Sequence, residues 1–236
     1  MEGGLISGSK EQVGNYCNIL ASEGYVVISI DYSLAPESKY PKPLVQLNNA
    51  LHFISNNAEQ FHIDSSSIFL AGDSGGSMIT AQVANIITNP DYAKLLNIKP
   101  KIHEKQLKGL LLYCGIYEIE NLNTDGNFGS FLNNVVWSYF GKKEIKEDKF
   151  AKTASITNYL TINFPPSFIS AGNTDPLLPQ SKLLAQKLTH KNVIVDSLFF
   201  PEKRKPDLGH EYQFTFNEDG REAFKRSLIF LKTHRK

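Results

Sequence analysis

The chain has 236 residues, a net charge of +1, 41% hydrophobic and 21% charged residues, and two cysteines. That composition suits one α/β domain, or two small ones, with a large core, and its near-neutral charge offers no electrostatic handle to nucleic acid or an anionic membrane. No apolar run approaches bilayer-spanning length and the first residues lack a basic and apolar leader, while Cys17 and Cys114 lie far apart in apolar surroundings and read as reduced thiols, which points to the cytoplasm.

Residues 1–9 are Gly-rich and read as a loop. Lys10 to Glu23 places Val13, Tyr16, Cys17, Leu20 and Ala21 on one helical stripe that stops at Gly24. Tyr25 to Asp31 is a near-continuous β-branched run, expected of a strand covered on both faces of a parallel sheet. Three prolines make Tyr32 to Pro43 an ordered loop, and Leu44 to Phe61 returns to helical spacing.

Ser67 to Ala71 is a short apolar run that turns at Gly72-Asp73-Ser74-Gly75-Gly76 into a helical pattern, Met78 to Ile87. Gly-x-Ser-x-Gly between a strand and a helix is the nucleophile elbow. So tight a turn holds the serine in a strained backbone conformation, and only glycine fits where strand and helix close on each other. The hydroxyl then stands at a helix N-terminus, where unpaired N–H groups favour developing negative charge. An anion-binding phosphate loop is disfavoured, since no Gly-x-x-x-x-Gly-Lys-Ser/Thr run occurs.

Lys94 to Lys105 is a polar connection and Leu107 to Tyr113 the next buried strand. Residues 116–160 break the rhythm, mixing Asn and Gly with Phe128, Phe131, Trp137, Tyr139 and Phe140, and read as an inserted helical segment. Pro166 to Ala171 is a strand ending at Gly172-Asn173-Thr174-Asp175-Pro176. Leu177 to Leu188 is a helix, Val193 to Phe200 a strand, Pro201 to Gly209 a charged loop leading to His210, and Glu222 to Leu231 a closing amphipathic helix. Alternating strands and helices mean an α/β fold with a mostly parallel sheet and helices on both faces, and such sheets bind ligands at the carboxyl ends of their strands.

A serine hydroxyl needs a base, and the base needs a partner to fix its tautomer. Of six histidines only His210 sits in a loop directly after a strand and before a closing helix. Asp175, at the carboxyl end of a strand in a turn stopped by Pro176, is the chosen acid. Asp207 is too close to His210 in sequence, and Asp196 lies within a strand. The tetrahedral intermediate of acyl transfer needs N–H donors, for which Gly75 and the Gly3-Gly4 loop are the candidates.

These residues resemble the hormone-sensitive-lipase-like carboxylesterases of the α/β-hydrolases. Asp31-Tyr32-Ser33-Leu34-Ala35-Pro36-Glu37 is similar to the family's Asp-Tyr-Arg-Leu-Ala-Pro-Glu loop, with Ser33 where Arg is usual. Gly72-Asp73-Ser74-Gly75-Gly76 resembles its Gly-Asp-Ser-Ala-Gly elbow, Gly172 to Leu177 its acid turn, and Gly209-His210 its histidine loop. The order Ser74, Asp175, His210 is also that of the class. The resemblance implies a single α/β-hydrolase domain over 1–236 with a helical cap near 116–160. It implies hydrolysis of small esters with short-to-medium acyl chains through an acyl-enzyme, with no cofactor or metal, and Gly3, Gly4 and Gly75 amides on the oxyanion. Trp137, Tyr139 and Phe140 become candidates for the pocket wall. Self-association is left open, as are an amidase or arylformamidase on the same machinery and a scaffold that has lost turnover or serves as a ligand-binding protein. One departure stands at the start: Met1 and Glu2 fall where relatives carry His and Gly, and relatives extend further upstream with cap helices and the first strands of the sheet. One of those strands would lie between the Tyr25–Asp31 run and the elbow strand.

Overall fold

Four parallel strands, side by side in chain order, form the centre of the computed structural model, which describes residues 3–235. They are β1 (Ile68–Asp73), β2 (Leu107–Tyr113), β3 (Ser167–Ala171) and β4 (Val195–Phe199). Each parallel pair requires a long crossover, and helices supply them. α3 (Ser74–Thr88) and α4 (Pro90–Leu96) link β1 to β2, α5 (Gly126–Phe140) lies between β2 and β3, and α6 (Leu178–His190) between β3 and β4. α1 (Gly14–Ser22) and α2 (Lys42–Asn56) precede the sheet, and α7 (Glu218–His234) closes the chain.

The leucine run of β2 shows why the sheet is covered twice. Successive side chains point to opposite faces. Leu110 and Leu112 join a core with Leu44, Leu47 and Leu51 of α2 and Met78 and Ile79 of α3. Leu111 and Tyr113 join a second core with Tyr16 and Leu20 of α1 and Phe230 and Leu231 of α7. Both faces are therefore apolar, as parallel sheets require.

α3 is buried from Gly75 to Thr88 and carries polar side chains into that interior. Ser77 bonds the Tyr117 hydroxyl at 2.8 Å, and the Tyr92 hydroxyl donates to Gln82 Oε1 at 3.2 Å. Asn85 is different: neither its Oδ1 nor its Nδ2 has a hydrogen-bond partner among the described residues. A buried amide left so costs about 1–3 kcal/mol, and alanine is also the better helix former. Against that stands a small cavity worth under ~1 kcal/mol. Asn85→Ala is therefore expected to raise the thermal midpoint by about 2–4 °C, read by differential scanning calorimetry.

Apart from α1 starting at Gly14 instead of Lys10 and α2 running from Lys42 to Asn56 instead of Leu44 to Phe61, the sequence-based expectations differ from the fold in four places. α3 begins at Ser74 itself, not at Met78, because the turn leads into the helix with no intervening residue. α4 is an extra helix, started by Asn89, whose Oδ1 accepts the Asp91 and Tyr92 amides at 3.0 and 3.2 Å, with Pro90 at the first helical position. α7 begins earlier, at Glu218, where Asn217 Oδ1 accepts the Gly220 amide at 2.9 Å.

The fourth is a correction. Residues 25–31 do not form a strand of the sheet. A cavity of about 440 Å³ separates Val26–Ile30 from Ile68–Asp73. Ladder bonds need strands about 4.8 Å apart, so the two segments do not pair, and Val26 and Ile28 are exposed instead of doubly covered. The alignment of Met1 and Glu2 lies outside the described residues.

Candidate active site

β1 ends at Asp73 and α3 starts at Ser74, whose φ is +45°. A side chain at Gly72 would meet the Gly76 carbonyl at 2.5 Å, so the turn closes only on glycine there. The strained bend lifts the Ser74 hydroxyl above the carboxyl end of the sheet.

The other two chemical groups reach that point from β3 and β4. The turn after β3 is locked to the loop after β4 by Asn173 and Thr174. Asn173 Oδ1 accepts the Leu208 amide at 2.9 Å, and its Nδ2 donates to the Glu202 and Arg204 carbonyls, both at 3.2 Å. The Thr174 amide and hydroxyl both donate to the Leu208 carbonyl at 3.0 Å. A Cβ at Gly172 would overlap that same carbonyl. Further along, Gln213 Nε2 donates to the Ser170 carbonyl at 3.0 Å and the Tyr212 hydroxyl meets Ser170 Oγ at 2.7 Å, while Arg204 pairs with Asp219. Both flanks of the histidine loop are thereby anchored to β3.

Within this frame His210 Nε2 lies 3.0 Å from Ser74 Oγ, and Nδ1 lies 3.1 Å from each carboxylate oxygen of Asp175. Asp175 is buried, and its Oδ1 also accepts the Leu177 amide at 2.7 Å. The carboxylate selects the tautomer with the proton on Nδ1, leaving Nε2 to accept from the serine hydroxyl. Burial disfavours the imidazolium, but the Asp175 hydrogen bond and the charges of Asp175, Glu211 and Asp73 outweigh it, so the His210 pKa stands above its ordinary 6.5. Of the rejected acids, Asp207 pairs with Lys205 on the surface and Asp196 with Arg226.

Cys114 lies beneath this chain of side chains. It follows β2 with φ +41°, is buried, and its sulfur lies within 4.8 Å of ligand atoms of Asp175 and His210. Burial first, then the charges of Asp175 and Asp73, push its thiol pKa well up, so it stays protonated. A neutral thiol beside a carboxylate already bound to an imidazole suits a packed floor better than a metal centre.

The glycine loop abuts the elbow. The Gly3, Gly4 and Leu5 carbonyls accept from the Gly75 amide at 2.7 Å, the Tyr32 hydroxyl at 2.7 Å and the Ala35 amide at 2.9 Å. The amide after Ser74 is thus engaged by Gly3 itself.

The three aromatic wall candidates have other contacts. Trp137 is exposed with Lys143 Nζ 4.5 Å over its ring, and Tyr139 and Phe140 pack on Tyr40 with centroids at 5.8 and 5.1 Å. The α5 ring seated on His210 is Phe128, edge-on at 5.8 Å, with Phe131 beside it. Glu211, which belongs to none of the sequence motifs, is the other neighbour, its carboxylate 3.7 Å from Nε2. Its adjacency to His210 was the only available signal.

A parallel sheet with this strand-to-helix turn at its carboxyl edge is an α/β-hydrolase fold. The comparisons agree. The BD-FAE family model matches residues 2–188, and the chain belongs to the BD-FAE family. An acetyl esterase of Salmonella choleraesuis (strain SC-B67) is 26% identical over 225 residues, which cover 92% of this chain and 66% of the esterase. Esterase B from Lactobacillus rhamnosis superposes with a TM-score of 0.82 at 21% identity, covering 99% of this chain and 74% of that one. EstE1, a thermostable carboxylesterase cloned from a metagenomic library, gives 0.80 at 22% identity, covering 100% and 78%. The chain thus spans about two thirds of the length of the acetyl esterase and three quarters of the two structures. No helix among the described residues is long and apolar enough to cross a membrane.

Proposed function

We propose that this chain is a serine carboxylesterase acting on small esters with short-to-medium acyl chains. The single observation that carries the reading is the hydrogen-bonded line Asp175–His210–Ser74 at the tip of the elbow. Ser74 Oγ attacks the ester carbonyl carbon as Nε2 takes its proton. The resulting oxyanion is held by main-chain N–H groups of the Gly3-Gly4 loop and Gly75, each aimed donor being worth roughly 3 kcal/mol. Collapse expels the alcohol, which leaves with the proton from Nε2. Water then attacks the acyl-serine with His210 again as base, releasing the acid. No cofactor enters any of these steps. Residues 116–160 serve as the cap of a single domain, bringing Phe128 over the base. Two free thiols suit a cytoplasmic setting.

The experiment is the pH dependence of kcat/KM for p-nitrophenyl acetate and butyrate. His210 must be neutral to act, and its pKa is raised, so protonation suppresses the rate at a higher pH than for a free imidazole. Activity is expected to fall toward acid through a limb with its midpoint above 6.5. A midpoint at or below that value contradicts the raised pKa, and a rate that does not fall toward acid contradicts the assignment of the base.

One observation favours a second reading, a scaffold that keeps these side chains without turnover. The Gly75 amide donates to the Gly3 carbonyl at 2.7 Å and has to leave it to serve an oxyanion. That reading predicts no turnover of either p-nitrophenyl ester, and measurable turnover dismisses it. Transfer from amides, as in an arylformamidase, would show as faster turnover of the corresponding anilides.

A further inference from the structure

We propose that Glu211 selects the alcohol half of the substrate, favouring esters whose leaving group carries a cation near the ester oxygen. The inference rests on the esterase reading above and adds to it a substrate class.

Glu211 directly follows His210 with φ +60°, a left-handed conformation that costs a residue with a side chain about 1 kcal/mol and glycine nothing. The side chain held at this cost is a carboxylate with one oxygen 3.7 Å from His210 Nε2. Nε2 is the atom that returns a proton to the departing alcohol, so the alcohol oxygen must come within hydrogen-bond reach of it. The leaving oxygen therefore lies within about 7 Å of the Glu211 carboxylate.

Three further features make that charge available to a ligand. The Glu211 side chain is 44% exposed, and among the described residues no Lys or Arg lies within ion-pairing distance of it. Asp175, the other carboxylate on the imidazole, is buried and taken up by Nδ1 and the Leu177 amide, so it adds negative potential without accepting a ligand. Phe128, edge-on to the His210 ring at 5.8 Å, brings an aromatic ring to the same imidazole, and rings of this kind attract cations. A cation two carbons from the leaving oxygen would sit beside a carboxylate with an aromatic ring nearby. A half-exposed charge at this range is expected to change kcat/KM by about three- to tenfold.

The test compares acetylcholine with 3,3-dimethylbutyl acetate, its neutral isostere, at low salt and at a pH on the alkaline plateau of the kcat/KM profile. The acyl group is shared, so acyl-pocket effects cancel in the ratio. The ratio of kcat/KM values is expected to favour acetylcholine by about three- to tenfold, to fall toward one in Glu211→Gln, to recover in part in Glu211→Asp, and to shrink in high salt. A ratio near one in the unaltered chain, or one unmoved by Glu211→Gln, overturns the proposal while leaving the esterase reading intact if p-nitrophenyl acetate is still hydrolysed. Should no ester be hydrolysed, the esterase reading falls. Ligand-observed NMR with choline against 3,3-dimethylbutan-1-ol then decides the preference without turnover: tighter choline binding that Glu211→Gln removes supports it, and equal binding overturns it.

Discussion

Ser74→Ala is expected to lower kcat for p-nitrophenyl butyrate by about 10⁵–10⁶, the scale on which removal of an activated nucleophile acts. Among the described residues Ser74 is the side chain whose hydroxyl hydrogen-bonds His210 Nε2, at 3.0 Å, and without it the proposed oxyanion donors have no intermediate to hold. Because serine and histidine work as a unit, adding His210→Ala to Ser74→Ala is expected to cost almost nothing more. The thermal midpoint of Ser74→Ala should stay near that of the unaltered chain, since alanine accepts the +45° backbone no worse than serine does. A Ser74→Ala protein that keeps its activity places the chemistry elsewhere.

Asp175→Asn is expected to lower kcat by about 10⁴ near neutral pH while leaving the fold intact. The asparagine can still offer its carbonyl to the Leu177 amide, which Asp175 Oδ1 now accepts at 2.7 Å. Its NH₂ then faces Nδ1 and donates to it, so the proton moves to Nε2. A protonated Nε2 cannot accept from Ser74. The same change removes both the hydrogen bond and the charge that raise the His210 pKa, so the acid limb of the residual activity should move to lower pH. Steady-state kinetics with a pH series reads both effects. A loss of tenfold or less would mean that Asp175 only fills space.

Much of this site is local and could be read from the chain. The apolar run before Gly72 and the helical pattern after Gly76 define the elbow, and Gly172 with Pro176 marks a turn at the carboxyl end of β3. His210 follows because it is the histidine whose loop must return to that edge. The failures are non-local. Tyr25 to Asp31 has the composition of a strand, but a strand exists only with a neighbour at ladder distance, and a cavity of about 440 Å³ occupies that place. Residues 128 and 139 share one face of α5 after three turns, yet stand about 16 Å apart along its axis. Only the N-terminal end of α5 reaches His210, and periodicity carries no information on which end does. Nothing in the pair His210-Glu211 announces that its second member adopts a left-handed backbone and turns a carboxylate back on the first.

The most direct measurement is covalent labelling of the folded protein with a fluorophosphonate probe, followed by intact mass and peptide mapping. The expected result is one adduct per chain, on Ser74, abolished by prior heat unfolding and by His210→Gln. A folded protein that takes up no probe, or carries it on another side chain, would contradict the claim that position 74 holds a hydroxyl activated by its imidazole neighbour.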